Sequence, residues 1–265
     1  MKFKAKKKLG QHFLIDKNII RKIVAVFSPA ENDLIVEIGP GKGALTEELI
    51  KHSKNLILVE IDSELISELA QKFPEIKIIN KDILECDFSK DFFSSNFRII
   101  GNLPYYITSQ ILFKIFDNYH MVNDVLIMIQ KEVAQRIVAQ KGTKDYGILS
   151  VFAQFYSDPK ILFNVSKNVF YPKPEVDSSI IHLKMKQQIE LNEKEEKYFR
   201  QVVKTGFNQR RKTLRNSLKN LFKEDEFEYS EKFFSLPFDF TRRAEELSLS
   251  EFIYLAKNFC EIKHN

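Results

Sequence analysis

The chain's 265 residues are 44% hydrophobic and 29% charged, an ordinary globular composition that suits one large domain with a small one. No apolar run reaches the roughly 18 residues of a membrane span and no apolar leader opens the chain, so a cytoplasmic protein without a membrane partner is expected. Cys86 and Cys260 form no CxxC pattern and the five histidines show no ligand spacing, so neither a disulfide framework nor a metal site is indicated; the net charge of +5 leans towards a polyanion.

In chain order, "DKNIIRKIVAVF" (16–27) reads as a helix capped by Asp16 and stopped at Ser28-Pro29. "DLIVEIG" (33–39) is an apolar run of strand length that flows into a helix over "GKGALTEELIKH" (41–52). A second strand, "NLILVEID" (55–62), precedes a helix over 63–73 that ends at Pro74. Further strands are expected at 76–80, 97–101 and 124–129, with a helix over 109–119 between the last two. Strands apolar on both faces and separated by helices imply a parallel sheet covered on both sides. Residues 141–148 read as an exposed loop, and 160–185 as two strands joined through a proline-rich turn at an antiparallel edge. From about Glu190 onward Phe199, Val203 and Phe207, then Leu214, Leu218 and Leu221, fall at helical spacing. The expected fold is α/β, a doubly wound Rossmann-like sheet with an antiparallel edge strand over 1–186, followed by a small all-helical domain over 187–265. Residues 1–15 form a basic arm and a motif of their own.

Charge concentrates in two places. The opening "MKFKAKKK" holds Lys2, Lys4, Lys6, Lys7 and Lys8 without an acid, which suits a polyanion or simply a solubilising arm. Residues 197–223 carry nine Lys or Arg and no Asp or Glu. A solvated face mixes signs, so this stretch favours a polyanion partner, with Arg210, Arg211, Lys212 and Arg215 able to contact phosphates while Leu214 and Leu218 stay in the core.

"VEIGPGKGALTEEL" sets Gly39, Gly41 and Gly43 between strand and helix, where backbone turns sharply and approaches a ligand closely. Dehydrogenases, methyltransferases and plain tight turns all show that spacing. Glu60, at the end of the next strand, sharpens it, because an acid there can accept from both hydroxyls of a ribose. Asp82, after the third strand, is placed either to accept from an adenine amine or merely to cap a helix. The loop lacks a Walker Lys-Ser/Thr, which favours a nucleoside over a triphosphate.

"GNLPYY" ends the fourth strand over the same crevice. The Asn102 amide oxygen and a backbone carbonyl beside Pro104 could accept two hydrogen bonds from an aromatic amine, while Tyr105 offers a flat face; a rigid turn with packed tyrosines is the bland alternative. The lone pair of an adenine N6 is delocalised into the ring, and two acceptors that favour a pyramidal nitrogen make it more nucleophilic. Such a site works by positioning and electrostatics and needs no strong base.

"GQHFLID" (10–16), "VEIGPGKGALT" (36–46), "VEID" (59–62), "NKDIL" (80–84), "GNLPYYIT" (101–108), "QKEVAQRI" (130–137), "YGILSVFAQ" (146–154), "FYPKPEVDS" (170–178) and "FNQRRKTLRNSL" (207–218) occur in this order, with "RRAEELSLSEF" near the end. Together they resemble the small-subunit ribosomal RNA adenine N6,N6-dimethyltransferase family across essentially the whole chain. The resemblance implies S-adenosylmethionine across the glycine loop, with His12 and Leu14 closing over it, Gly39 and Gly41 beside it, Glu60 on its ribose and Asp82 on its adenine. Asn102 would face both cofactor and target N6, Leu103 and Pro104 would contribute carbonyls, and Tyr105 would stack on the base. Phe170 matches the aromatic that closes the opposite face, in keeping with an RNA base held between aromatic planes. Implied as well are two adjacent adenosines near the 3′ end of small-subunit rRNA as target, in an immature ribosomal subunit. A monomer is expected because no long apolar surface pattern stands out in the sequence. The alternatives are the large-subunit rRNA adenine dimethyltransferase of the macrolide-resistance type and an assembly factor with secondary or lost methylation. A dehydrogenase fits least, since it leaves "NLPYY", Phe170 and the basic segment unexplained.

Overall fold

The structure of the protein, a computed structural model, describes residues 10–92 and 96–264. The N-terminal lysines Lys2 to Lys8 lie outside the described residues. After β1 (Phe13–Leu14) comes α1 (Lys17–Phe27), whose Asp16 cap accepts from the Asn18 and Ile19 amides. Ile20, Ile23, Val24 and Phe27 form its buried stripe.

Five strands follow in parallel: β2 (Ile35–Ile38), β3 (Leu56–Glu60), β4 (Lys77–Asn80), β5 (Phe97–Asn102) and β6 (Val122–Gln130). Between them lie α2 (Thr46–Leu49), α3 (Ser63–Lys72), α4 (Phe88–Asp91) and α5 (Thr108–Asp117). Then come α6 (Lys131–Val138), α7 (Ile148–Tyr156), β7 (Ser157–Val165), β8 (Phe170–Tyr171) and β9 (Ser178–Met185). The sheet order is β4-β3-β2-β5-β6-β9-β7, with β9 antiparallel to both β6 and β7. The chain therefore winds outward from β2 through β3 and β4, then returns to add β5 and β6 on the other side. The crevice at such a reversal, beyond the carboxyl ends of β2 and β5, is where doubly wound sheets bind ligands.

Three local features depart from the sequence reading. The helix expected over 41–52 shrinks to α2, because Gly41 (φ +58°) and Gly43 (φ +76°) take left-handed conformations that a right-handed helix cannot contain. The nine-residue α7 had no forecast: "ILSVFAQFY" is short and mostly apolar, and only Ser150 and Gln154, four residues apart, mark a polar face. Strands β1 and β8 form a separate antiparallel pair, Phe13 opposite Tyr171 and Leu14 opposite Phe170, which ties the "GQHFL" segment to the "FYPKP" segment.

At the end of β5 remote from the crevice, Arg98 binds Asp124 through Nε (2.6 Å) and Nη2 (2.9 Å), and Asp33 through Nη1 (2.7 Å). It also donates to the Phe27 and Ser28 carbonyls, which satisfies the end of α1. His182 of β9 completes the cluster on Asp124 (2.8 Å). Five segments of the sheet layer are thereby fastened at one point.

The chain divides into two compact units. One holds residues up to Ala134 together with Tyr156–Gln187; the other holds Gln135–Phe155 and the residues from Gln188 onward. The single boundary expected at 186/187 thus misses that 135–155 belongs to the second unit. The reason is apolar: Phe152 and Phe155 of α7 lie against Phe199, with centroids 5.9 and 4.1 Å away. That unit also comprises α8 (Glu193–Asn208), α9 (Leu214–Leu218), α10 (Phe227–Phe234) and α11 (Leu249–His264). Asn192 and Glu195 form a capping box at α8, and Phe199, Val203, Phe207, Leu214 and Leu218 are buried as their spacing requires. Leu221 is half-buried in a single 3-10 turn. Among the described residues no helix is long and apolar enough to cross a membrane, and no cluster of three His, Cys, Asp or Glu is placed to hold a metal.

Candidate active site

A cavity of about 280 Å³ opens beyond the carboxyl ends of β2, β3 and β5. The glycine loop forms one wall. Gly39 (φ +65°) and Gly41 hold the backbone open, and a Cβ on Gly41 would press 3.0 Å from the Phe13 ring. The Gly41 amide donates to Glu60 Oε2 (3.2 Å), while Glu60 Oε1 accepts from the Ile61 and Asp62 amides, both at 3.0 Å. Glu60 is only 6% exposed. Burial holds its pKa above the ordinary carboxylate value, against the pull of those three amides.

Asp82 also lines the cavity, and its Oδ1 accepts from the Leu84 amide (2.9 Å), so the acid caps the turn over 83–85 from within the wall. The two readings of Asp82 are compatible, since the capping bond uses one oxygen. Glu37 is the residue that sequence reasoning missed. It sits inside β2, lines the cavity, is 1% exposed and accepts from Thr46 Oγ1 (2.7 Å). Burial pushes its carboxyl up to about 8, with the Thr46 bond opposing the shift and neighbouring Glu60 adding to it. The only signal was an acid inside the apolar run "DLIVEIG".

Asn102 is the last residue of β5. Its Nδ2 donates to the His12 carbonyl (2.8 Å), which fixes the amide plane and leaves Oδ1 as the outward acceptor. Leu103 is buried and its amide donates to the Met128 carbonyl; nothing among the described residues donates to its own carbonyl. The Pro104 carbonyl differs from expectation. It accepts from Thr108 Oγ1 (3.0 Å) and the Ile107 amide (3.3 Å), so it is committed to the start of α5, and the available backbone acceptor is that of Leu103. Tyr105 is anchored through a 2.7 Å hydrogen bond between its hydroxyl and Ser178 Oγ, and its ring stacks on His12 with centroids 5.7 Å apart at 27°.

Of the expected cofactor and catalytic residues, every one from His12 and Leu14 through Gly39, Gly41, Glu60 and Asp82 to Tyr105 lines this cavity. Phe170 does not. It is 3% exposed, sits opposite Leu14 in the β1–β8 pair and belongs to the hydrophobic core with Leu126, Met128 and Ile180.

The basic candidates separate too. Arg210 Nη2 donates to the Lys144 and Tyr146 carbonyls, both at 3.0 Å, and to Glu245 (3.1 Å), so it staples its own unit together. Arg211 and Lys212 are exposed in the turn between α8 and α9, and the Arg215 guanidinium lies 5.2 Å over the Phe234 ring.

Comparison with known proteins gives a consistent picture. Residues 2–257 match the family described as ribosomal RNA adenine dimethylase. The chain is 46% identical over 260 residues, 96% of its length and 97% of the relative's, to the ribosomal RNA small subunit methyltransferase A of Francisella tularensis subsp. tularensis (strain WY96-3418). It is 45% identical over the same span to the protein of that name from subsp. novicida (strain U112). Among solved structures, a dimethyladenosine transferase from Plasmodium falciparum superposes with a TM-score of 0.80 at 24% identity, over 95% of this chain and 98% of that one. The 23S rRNA methyltransferase ErmE gives 0.68 at 23% identity, over 93% and 99%. At those identities the structures speak to the fold alone.

Proposed function

The chain belongs to the ribosomal RNA adenine dimethylase family, and from that premise we propose that it transfers methyl groups from S-adenosylmethionine to N6 of two adjacent adenosines. The target is the hairpin loop near the 3′ end of small-subunit rRNA within an immature ribosomal subunit, and the enzyme works as a monomer in the cytoplasm. The observation that carries this reading is the convergence of Asn102 and Tyr105 with the glycine loop and Glu60 on one cavity. The small-subunit target rests on the 46% identical relatives, which disfavours the large-subunit alternative.

The residues present fit the cofactor. Positive-φ glycines let backbone approach it, the buried Glu60 carboxylate suits two ribose hydroxyls, and Asp82 keeps an oxygen for an adenine amine. His12 and Leu14 border the same space. When bound, S-adenosylmethionine supplies an electrophilic methyl group on a sulfonium. The protein's own contribution is positioning. Asn102 Oδ1 and the Leu103 carbonyl offer two acceptors to an incoming amino group, and Tyr105, held through Ser178, fixes the plane in which a base lies. Two acceptors on one amine draw its nitrogen towards a pyramidal, more nucleophilic form, and the proton leaves as or after charge develops on that nitrogen. Arg211 and Lys212 are the exposed cations suited to rRNA phosphates.

Mass spectrometry of small-subunit rRNA tests the proposal, after immature subunits are incubated with the protein and S-adenosylmethionine. Two methyl groups on each of two adjacent adenosines are expected, with their addition slowed about 10²–10³-fold by Asn102→Ala. Unmethylated adenosines after incubation with the wild type would overturn it.

A further inference from the structure

The pairing of β1 with β8 sorts four side chains onto two faces, because cross-strand partners share a face and successive residues alternate. Leu14 and Phe170 turn inward together, 6% and 3% exposed, and belong to the hydrophobic core. Phe13 and Tyr171 turn outward together. Phe13 lines the cavity described above, whereas Tyr171 lies outside that lining and, at 72%, is the most exposed large hydrophobic side chain among the described residues.

A lone tyrosine at a surface is ordinary, but this one is set apart in three ways. Its ribbon is held from both ends: the Ile15 amide donates to the Val169 carbonyl (2.9 Å), and His12 Nδ1 donates to the Pro172 carbonyl (2.8 Å). The ring is thus carried on fixed backbone, which leaves little freedom to lose when a partner lies on it. Exposed cations stand beside both members of the outward pair. Lys42 Nζ lies 5.3 Å over the Phe13 ring, and Lys173 follows Tyr171 by two positions. The third point is place, since the register partner of Tyr171 is part of the cavity wall. An aromatic face among lysines at the edge of such a site suits a base and its phosphates, whereas lysine is depleted where proteins meet.

Resting on the reading of the chain as an enzyme that modifies two adjacent adenosines, we infer that Tyr171 is a stacking platform for one adenosine of the pair while the other is being methylated. Drawing a base out of its stack bares the face of its neighbour, and unstacked bases of single-stranded RNA regain contact on aromatic side chains. Tyr171 supplies that surface outside the cavity. It is a positioning residue: it holds the waiting base and so the register of the strand, and takes no part in the transfer itself.

The test is a binding cycle. Immature subunits are assembled on rRNA that carries an abasic nucleotide in place of one or the other of the two adenosines, and their affinities for the wild type, Tyr171→Ala and Tyr171→Phe are measured beside those of unaltered subunits. On unaltered subunits Tyr171→Ala should bind about tenfold more weakly, the order of one base–aromatic stack, and Tyr171→Phe as tightly as the wild type. In one of the two abasic arrangements the wild type should lose the same factor and Tyr171→Ala nothing further. Both variants should bind S-adenosylhomocysteine as the wild type does, which also shows that they fold.

Losses that add in both arrangements would assign Tyr171 to another contact, such as a ribosomal protein, and overturn the inference. Wild-type binding by Tyr171→Ala would do the same, and a loss of S-adenosylhomocysteine affinity would make the residue part of the cofactor wall instead. The cycle needs no turnover. A wild type that binds unaltered subunits but adds no methyl would therefore sink the functional reading, while the cycle still decides for or against the platform.

Discussion

Gly101 lies directly against the Ile38 carbonyl: a Cβ added to it would fall well inside van der Waals distance of that oxygen. The two residues are register partners on β5 and β2, one step before the site begins at Asn102 and Gly39. Backbone, unlike the end of a flexible side chain, cannot swing away. Gly101→Ala should therefore push the two strands apart, with a stability loss of about 1–3 kcal/mol, the range for overpacking a dense core. Because the displaced residue precedes Asn102, methylation should fall by more than the unfolded fraction explains. Urea unfolding beside the rate of the remaining folded enzyme checks this, and unchanged values of both would show that the strands accommodate the methyl.

Glu37 makes stability depend on pH in an unusual direction. Its folded pKa, about 8, lies above the ordinary 4.5, so the folded state holds a proton that the unfolded state has released across that interval. Stability from this group is then greatest below pH 4.5, declines as pH rises from 4.5 towards 8, and levels off above. Glu37→Gln keeps an acceptor for Thr46 and carries no charge, so it should flatten this decline and raise the urea midpoint most at pH 8. An equally steep decline in the variant would assign the effect elsewhere.

The same residue shows where sequence reading stops. β2, β3 and β5 were legible because a parallel strand buried on both faces is a continuous apolar run, and Glu60 and Asn102 were legible because they end such runs. Glu37 was hidden inside one, where the pattern says only core. The pairing of Phe170 with Leu14 was hidden for another reason: a two-residue strand has no period to read. The basic run over 197–223 was legible as charge but not as contacts, because the carbonyls that engage Arg210 come from residues some sixty positions earlier.

Asn102 and Glu60 line one cavity and should nonetheless fail differently. On the proposed mechanism Asn102→Ala removes an acceptor that acts as charge develops on the nitrogen, so the rate at saturation should drop about 10²–10³-fold with cofactor affinity nearly intact, as for loss of one preorganised hydrogen-bonding group. Glu60→Gln halves the acceptors available to the Gly41, Ile61 and Asp62 amides and to a ribose. Cofactor affinity should fall about 10–100-fold, matching the roughly 1.5–3 kcal/mol of hydrogen bonds to a charged group, with a near-normal rate at saturation. Calorimetry with S-adenosylhomocysteine and single-turnover rates separate the two, and matching defects in both variants would contradict the division of labour.

Arg211 and Lys212 should carry the salt dependence of rRNA binding, while Arg210 should carry stability. The paired substitution Arg211→Ala with Lys212→Ala removes two exposed cations, so the slope of log affinity against log salt should flatten by roughly one unit per lost phosphate contact. Arg210→Ala frees the Lys144 and Tyr146 carbonyls from their donor and should lower the unfolding midpoint, with a cost of about 1 kcal/mol given that its ion pair with Glu245 is partly exposed. Its salt slope should match the wild type. Filter binding of small-subunit rRNA across a salt series decides between them, because a flattened slope in Arg210→Ala alone would mean that this guanidinium leaves its carbonyls to meet a phosphate.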